Sequence, residues 1–407
     1  MAGIAALAAA YVLSQFYRSF LAVLTPALTA ELGATKADLS AASGAWFALF
    51  ALMQFAVGVS LDRYGPRLTA GILLGLCGGG GAFLFAFATQ PWMVIAAMAL
   101  IGMGCAPVLM ASVFIFAKSF SPARLAVLTS WMMAIGTMGN VVGASPLAAA
   151  AEAFGWREVM AGLGIITLLV AGGILLIVRD PVREEGAAGN PGLGGYLELI
   201  RLRALWPIIP LAALNYAAAA GIRGLWAGPY LADVYGADAL LIGQVTLFMA
   251  LAMAAGTFIY GPLDTIFRTR KWVAAAGNTL GAAAVAWLAV FPLAGVGAAT
   301  VALVLVGLTG GSYGVIMAHG RAFMPAHLTG RGVTLLNFFS IGGVGLMQFA
   351  TGAVVTASTV PAEPAVAYRT LFVFYAGVLL ASVLVYLFSR DARPEPISRP
   401  SPRPAER

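Results

Sequence analysis

Apolar residues gather along the chain into stretches of about 20, the length that crosses roughly 30 Å of hydrocarbon, with shorter polar segments between them. Twelve such stretches run Gly3–Leu28, Ser40–Leu61, Leu68–Ala88, Trp92–Ala117, Leu125–Ala150, Val159–Val178, Trp206–Leu231, Leu240–Leu263, Trp272–Ala294, Val296–Ala318, Val333–Thr356 and Thr370–Phe388. With no water at that depth, each is expected to be a helix that satisfies its own backbone. A barrel is excluded, because barrel strands are short and alternate in polarity. The first stretch lacks a basic leader and is too long for a signal-peptide core, so it is expected to stay as a helix. The fold predicted is all-α and polytopic, with twelve transmembrane helices in two pseudo-symmetric six-helix bundles. Residues 1–178 form the N-terminal half, 179–205 a central cytoplasmic loop, 206–388 the C-terminal half and 389–407 a disordered cytoplasmic tail.

Composition agrees. Of 407 residues, 61% are apolar and 10% charged, where a soluble domain carries about 25% charge. The mean hydropathy is +0.93. These values exclude an ordinary soluble enzyme, a disordered chain and a disulfide scaffold. Cys77 and Cys105, the only cysteines, both lie in apolar runs. The net charge of +7 is a topology signal, because most of the 23 Lys and Arg fall on the side of the N-terminus, among them Arg63, Arg67, Lys118, Arg124, Arg201, Arg268, Arg270 and Lys271. The opposite loops hold Lys36, Arg157 and Arg369. Positive loops stay inside, which is expected to place both termini on the cytoplasmic side of the membrane. Nucleic acid is not expected as a partner. The bilayer and a small-molecule substrate are, with the chain acting as a monomer and without a cofactor.

The two halves repeat each other. Pro26 precedes Gly33-Ala34 by the same interval that separates Pro229 from Gly236-Ala237. Leu61-Asp62 ends the second stretch and Leu263-Asp264 the eighth. Phe120-Ser-Pro122 and Phe323-Met-Pro325 each open a loop with an arginine, and Gly139 and Gly342 follow those prolines at equal distance. Duplicated halves of this kind are the sign of alternating access.

Gly58-Val-Ser-Leu-Asp62-Arg63-Tyr-Gly65-Pro-Arg67 resembles the signature loop of the major facilitator superfamily, and Phe154-Gly-Trp-Arg157 is similar to a second pattern of that family. The second-half copy, Gly261-Pro-Leu-Asp264 followed by Arg268, Arg270 and Lys271, lacks the later glycine. The resemblance implies a secondary transporter of a small solute, gated at Gly58, Asp62, Arg63, Gly65, Arg67, Arg124 and Asp264. A looser resemblance, carried by Tyr17-Arg18 and Trp226-Ala-Gly-Pro229-Tyr, is to a bacterial branch that includes riboflavin and copper importers, and it implies a chain integral to the inner membrane of a bacterium.

All 16 Asp and Glu fall in loops or at helix ends, and His319 and His327 are read as residues of the loop after the tenth span. No acid is therefore expected at the midplane. Arg18 and Arg223 are embedded, each at a cost of about 2.5–3.5 kcal/mol. Polar stripes at helical spacing accompany them: Tyr11, Gln15, Arg18 and Thr25; Asn215, Tyr216, Arg223 and Trp226; Asn337, Ser340, Gln348 and Thr351. Uncompensated guanidiniums suit a carboxylate or phosphate. The substrate-binding set expected is Arg18, Arg223, Gln15, Tyr216, Asn215, Trp226 and Asn337, with a small organic anion between the halves. The competing reading has each arginine capping carbonyls of a broken helix. Riboflavin would use aromatic surfaces such as Trp46, Trp131, Tyr216 and Trp226. No resident metal is expected; Cu(I) would have Met249 and Met253, a pair on one helix face, to which Met98 and Cys105 could add sulfur. A membrane enzyme would need an acid/base pair, nucleophile or metal cluster that the spans do not supply.

Overall fold

A computed structural model of the chain describes residues 2–181, 194–325, 328–360 and 362–392. Each apolar stretch is helical, and no strand occurs among the described residues. The helices are α1 (Ala2–Phe16 and Leu21–Leu32), α2 (Lys36–Tyr64), α3 (Pro66–Ala86), α4 (Pro91–Ser119), α5 (Pro122–Val142 and Ser145–Phe154) and α6 (Trp156–Ile177). The second series is α7 (Ile209–Gly221 continuing to Ala227–Tyr235), α8 (Ala239–Ile266), α9 (Arg270–Val290), α10 (Val296–Arg321), α11 (Thr329–Ser358) and α12 (Pro364–Tyr386). Among the described residues nine helices are long and apolar enough to cross a membrane, and the bent pairs in α1 and α5 each make one more. The stretch Ile209–Tyr235 stands where the seventh span is expected. The chain is an all-α polytopic membrane protein. A short helix, Gly194–Arg201, lies within the expected central loop. His327, residues 182–193 and the tail from 393 lie outside the described residues.

The sequence repeat has a local physical cause. Gly33 and Gly236 end α1 and α7 with φ of 64° and 65°, a left-handed conformation that glycine adopts without a Cβ penalty. In both turns the next amide reaches back to close the cap: Ala34 N–H to the Leu28 carbonyl at 3.3 Å, Ala237 N–H to Leu231 at 3.1 Å. The following helix is then capped by a side chain. Thr35 and Asp38 form a reciprocal capping box on α2, and Asp238 accepts from the Leu241 amide of α8 at 2.8 Å. These polar groups satisfy amides that helix geometry leaves without partners.

A further repeat appears at the opposite end. Asp180, just past α6, accepts from the Arg67 amide at the start of α3 at 2.8 Å. Asp391, just past α12, accepts from the Lys271 amide at the start of α9 at 3.0 Å and from the Thr269 hydroxyl at 2.6 Å. Burial alone would raise the Asp391 carboxyl, but these donors hold it below its ordinary value. Each pair ties the last helix of a half to its third.

Contacts between the halves concentrate at the end that carries Lys36. There the Ser40 hydroxyl bonds the Gln348 carbonyl, and the Gln348 amide donates to Ser43 at 3.1 Å, joining α2 to α11. Lys36 Nζ lies 2.6 Å from Asp233 Oδ2, which also accepts from Tyr368 at 2.5 Å. This pair is about one-third exposed on the Asp233 side, so its contribution falls in the range of surface ion pairs, up to about 1 kcal/mol. Reversing one charge, as in Asp233→Lys, is expected to shift the balance away from this closed end about two- to fivefold, and the exchange Lys36→Asp with Asp233→Lys to restore it. Inter-label distances across this end in the single and double variants check the result.

Candidate functional site

Both embedded arginines sit where a helix loses its regular form. The chain turns at Tyr17–Phe20, between the two parts of α1, which meet at 53°. Arg18 lies in that turn. Arg223 lies in a π-helical turn, Ile222–Trp226, within α7. Such irregularities are common at functional sites and at the discontinuous helices of transporters.

Each guanidinium bonds a polar side chain of the other half. Arg18 Nη1 donates to the Tyr216 hydroxyl at 3.3 Å, and Arg223 Nη2 donates to Asn140 Oδ1 of α5 at 2.9 Å. Neither bonds a backbone carbonyl among the described residues, so the capping role has no contact there to support it. The Nε atoms of both are buried and without a partner. Arg18 packs its guanidinium 5.3 Å from the Trp46 ring and 5.1 Å from Phe50. Contact of this kind with aromatic faces fixes a guanidinium in place.

Around them, Gln15 donates to Tyr11 at 3.1 Å and leaves its Oε1 buried and unpaired. The Tyr216 ring lies 5.7 Å from that of Tyr313, whose hydroxyl donates to Asn337 at 2.9 Å. Among the described residues the buried Arg, Lys, Asp, Glu and His side chains are Arg223, Asp264 and His319. Asp264 pairs with Arg270 at 3.2 Å near the α8–α9 turn, away from the arginine site. The arrangement therefore offers two cationic forks, an amide oxygen and tyrosine hydroxyls in one interface, with no carboxylate among the described residues to neutralise them. A buried cation of this kind is costly until an anion joins it.

Of the expected binding residues, the structure brings together Arg18, Gln15 and Tyr216, with Asn337 linked through Tyr313 and Arg223 on the same interface. Two others point elsewhere. Asn215 donates to Asn278 at 2.7 Å and to Ser312 at 2.9 Å, inside the second half. Trp226 is wholly buried and its indole N–H bonds Gln348 and Thr351. Asn140 was not expected. Its signal is a lone amide in the apolar fifth span, one residue past Gly139.

At the other end, Asp62, Arg63, Arg67 and Arg124 are exposed, and no ion pair joins Asp62 to Arg124. Gly65 adopts φ 88°, with the Asp180 carboxylate against it. Gly58 has open space where a side chain would go. Met249 is buried, with its backbone against Gly307 of α10, and the Met253 methyl group lies against Gly310. Trp131 is 68% exposed. His319 corrects the expected loop: it is buried within α10, its ring bonded to the Tyr386 hydroxyl at 2.6 Å and the Arg390 carbonyl at 2.9 Å.

A family model described as Major Facilitator Superfamily matches residues 7–226. The probable L-galactonate transporter of Escherichia coli (strain K12) is 24% identical over 274 residues, which is 62% of this chain; the match spans 58% of the relative's own length. Among solved structures, a bacterial homolog of the human lysosomal transporter Spinster superposes with a TM-score of 0.76 at 20% identity, covering 95% of this chain and 96% of the other. A D-xylose-proton symporter superposes at 0.73 with 13% identity, covering 95% and 97%.

Proposed function

The chain belongs to the major facilitator superfamily, and from that premise we propose that it carries a small organic anion by alternating access, binding it on Arg18 and Arg223 between its halves. The observation that carries this reading is the pair of guanidiniums, each at a helix irregularity, each bonded once across the interface, with no neighbouring acid among the described residues. The curated relative's printed substrate, L-galactonate, is a hydroxycarboxylate, and it supports the same substrate class. An anion of that kind would take its carboxylate on the arginine forks and its hydroxyls on Gln15, Tyr216, Asn140 and Asn337. Riboflavin gains no support, since Trp226 is sealed inside the fold. Copper gains none either, since no group of three His, Cys, Asp or Glu side chains able to hold a metal stands among the described residues beside Met249 and Met253.

In this reading the Lys36 end faces outward and is closed, and the Asp62 end and both termini face the cytoplasm of a bacterial inner membrane, as the charge asymmetry favours. One copy suffices, because both halves of the site come from one chain. Uptake into liposomes holding the purified protein tests the substrate class. Sugar acids such as L-galactonate are expected to accumulate and to compete with one another, while D-xylose and nucleosides do not. Transport of the neutral solutes in preference to the acids would overturn the reading.

Asp62 is proposed to act in gating. It ends α2, is exposed and lies far along the helix from Arg18's aromatic partners Trp46 and Phe50. Asp62→Asn is expected to slow uptake at least about tenfold by upsetting the balance of open states, with substrate affinity held within a few fold. An affinity loss of a hundredfold with normal conformational exchange would contradict that role.

A further inference from the structure

We propose that the outer surface of α9 holds an anionic glycerophospholipid, its two acyl chains in the grooves on either side of the helix and its phosphate on Arg268 and Lys271. The inference is independent of the transported substrate and requires only that the helices span a bilayer. Two apolar grooves, of about 470 and 610 Å³, run along α9. One lies between α9 and α8, floored by Tyr260, Leu263 and Gly277; the other lies between α9 and α12, floored by Ala275, Val383 and Leu387. Trp272, Ala276 and Leu280 line both. Spaced four apart, they form one ridge of the helix, so the grooves lie on either side of a single line and both reach Trp272. Two parallel grooves that share this end match the shape of a two-chain lipid.

The charges stand at that head. Arg268 is exposed and holds the one non-glycine positive φ among the described residues, 52°. Lys271 Nζ lies 5.3 Å from the Trp272 ring, and Trp272 itself is 59% exposed, as a residue at a membrane–water boundary is. Two acids are near. Asp264 is paired with Arg270. Asp391 has its oxygens on the Thr269 hydroxyl and the Lys271 amide. Arg268, the Lys271 ammonium and the exposed Arg390 are not consumed by them. Basic groups beside grooves between transmembrane helices fit acidic headgroups.

The corresponding surface of the first half is built differently. There Leu175 and Leu168 of α6 lie against Gly71 and Gly79 of α3 and fill the space between those helices. In the first half these leucines occupy the space that stays open between α9 and α12, so that groove is not a feature the repeat imposes.

Native mass spectrometry of the full-length protein, titrated with phosphatidylglycerol and with phosphatidylcholine of the same acyl chains, tests the site. Phosphatidylglycerol is expected to bind about tenfold tighter. The double variant Arg268→Ala, Lys271→Ala should bring the two lipids within about twofold of each other. Ala276→Phe, which fills the grooves and keeps both cations, should weaken both lipids. Arg201→Ala with Arg203→Ala removes the same charge elsewhere and should leave the preference intact. Equal binding of the two lipids by the natural protein would overturn the proposal. So would a preference that survives the first double variant, or one that the Arg201, Arg203 variant loses equally. Added inorganic phosphate is expected not to displace the lipid; displacement at millimolar phosphate would show a simple anion site and overturn the lipid assignment.

Discussion

Arg18→Ala and Arg223→Ala are each expected to weaken substrate binding ten- to a hundredfold while leaving the protein folded in the membrane. A hydrogen bond to a charged group contributes on the order of 1.5–3 kcal/mol, and each factor of ten in affinity corresponds to about 1.4 kcal/mol. Folding is expected to survive, because removing an embedded cation relieves an insertion cost and each side chain makes one cross-half bond. Lysine at either position should rescue only in part: it restores charge without the planar fork. Three patterns are distinguishable by titration of ligand against the two Arg variants and Trp226→Ala. An anion site loses affinity at both arginines. A purely structural role lowers yield and melting temperature at the arginines and leaves surviving protein with normal affinity. A neutral aromatic ligand loses most at Trp226, which the burial of that indole argues against.

Gly228→Val is expected to reduce transport at least about tenfold by holding the Lys36 end open. A Cβ at Gly228 would press into the Ala22 carbonyl oxygen, with the Ala22 carbonyl carbon and Cα close behind. Those are backbone atoms of the facing helix and cannot swing aside as a side-chain tip can, so α7 and α1 would have to separate. In the proposed cycle alternating access opens this contact, which leaves a conformation free of the collision, and the variant is expected to express and insert. Electron–electron distance measurements between labels at Ala30 and Glu363 check the mechanism. A distribution moved to longer distance, with transport lost, is the expected outcome; unchanged distances with transport intact would contradict it. Both effects exceed that of the Lys36–Asp233 pair, since a half-solvated ion pair weighs less than a backbone collision or a buried charged bond.

The helices were legible because hydrocarbon leaves no alternative for a run of apolar residues. The repeat was legible where it encodes backbone geometry: Gly33 and Gly236 recur because the same left-handed turn recurs. Other features left weaker traces. Arg179-Asp180 and Arg390-Asp391 are a repeated dipeptide, but they fall where the apolar pattern stops, and only the folded chain shows both carboxylates capping the third helix of a half. The turn at Arg18 contains neither proline nor glycine, so tertiary packing and not local propensity sets it. Polar stripes identified which helix faces are interior without saying which interior. Asn215 and Trp226 share a helix with Arg223, yet they serve contacts within the second half and across to α11, away from the arginine cluster. Asn140 entered the site because its helix is brought against α7, a contact that spacing along the fifth span does not encode. His319 fell one turn inside a helix that the hydropathy pattern ended early, because its ring is satisfied by Tyr386 and a carbonyl.

In the proposed function, charge on the substrate, recognised by Arg18 and Arg223, holds it between the halves. The most direct measurement is the affinity of the purified natural protein for L-galactonate beside that for its amide, which keeps the hydroxyls and shape and removes the negative charge. The acid is expected to bind at least about tenfold tighter than the amide, with the difference abolished in Arg18→Ala. Equal affinity for acid and amide, or tighter binding of the amide, would contradict it.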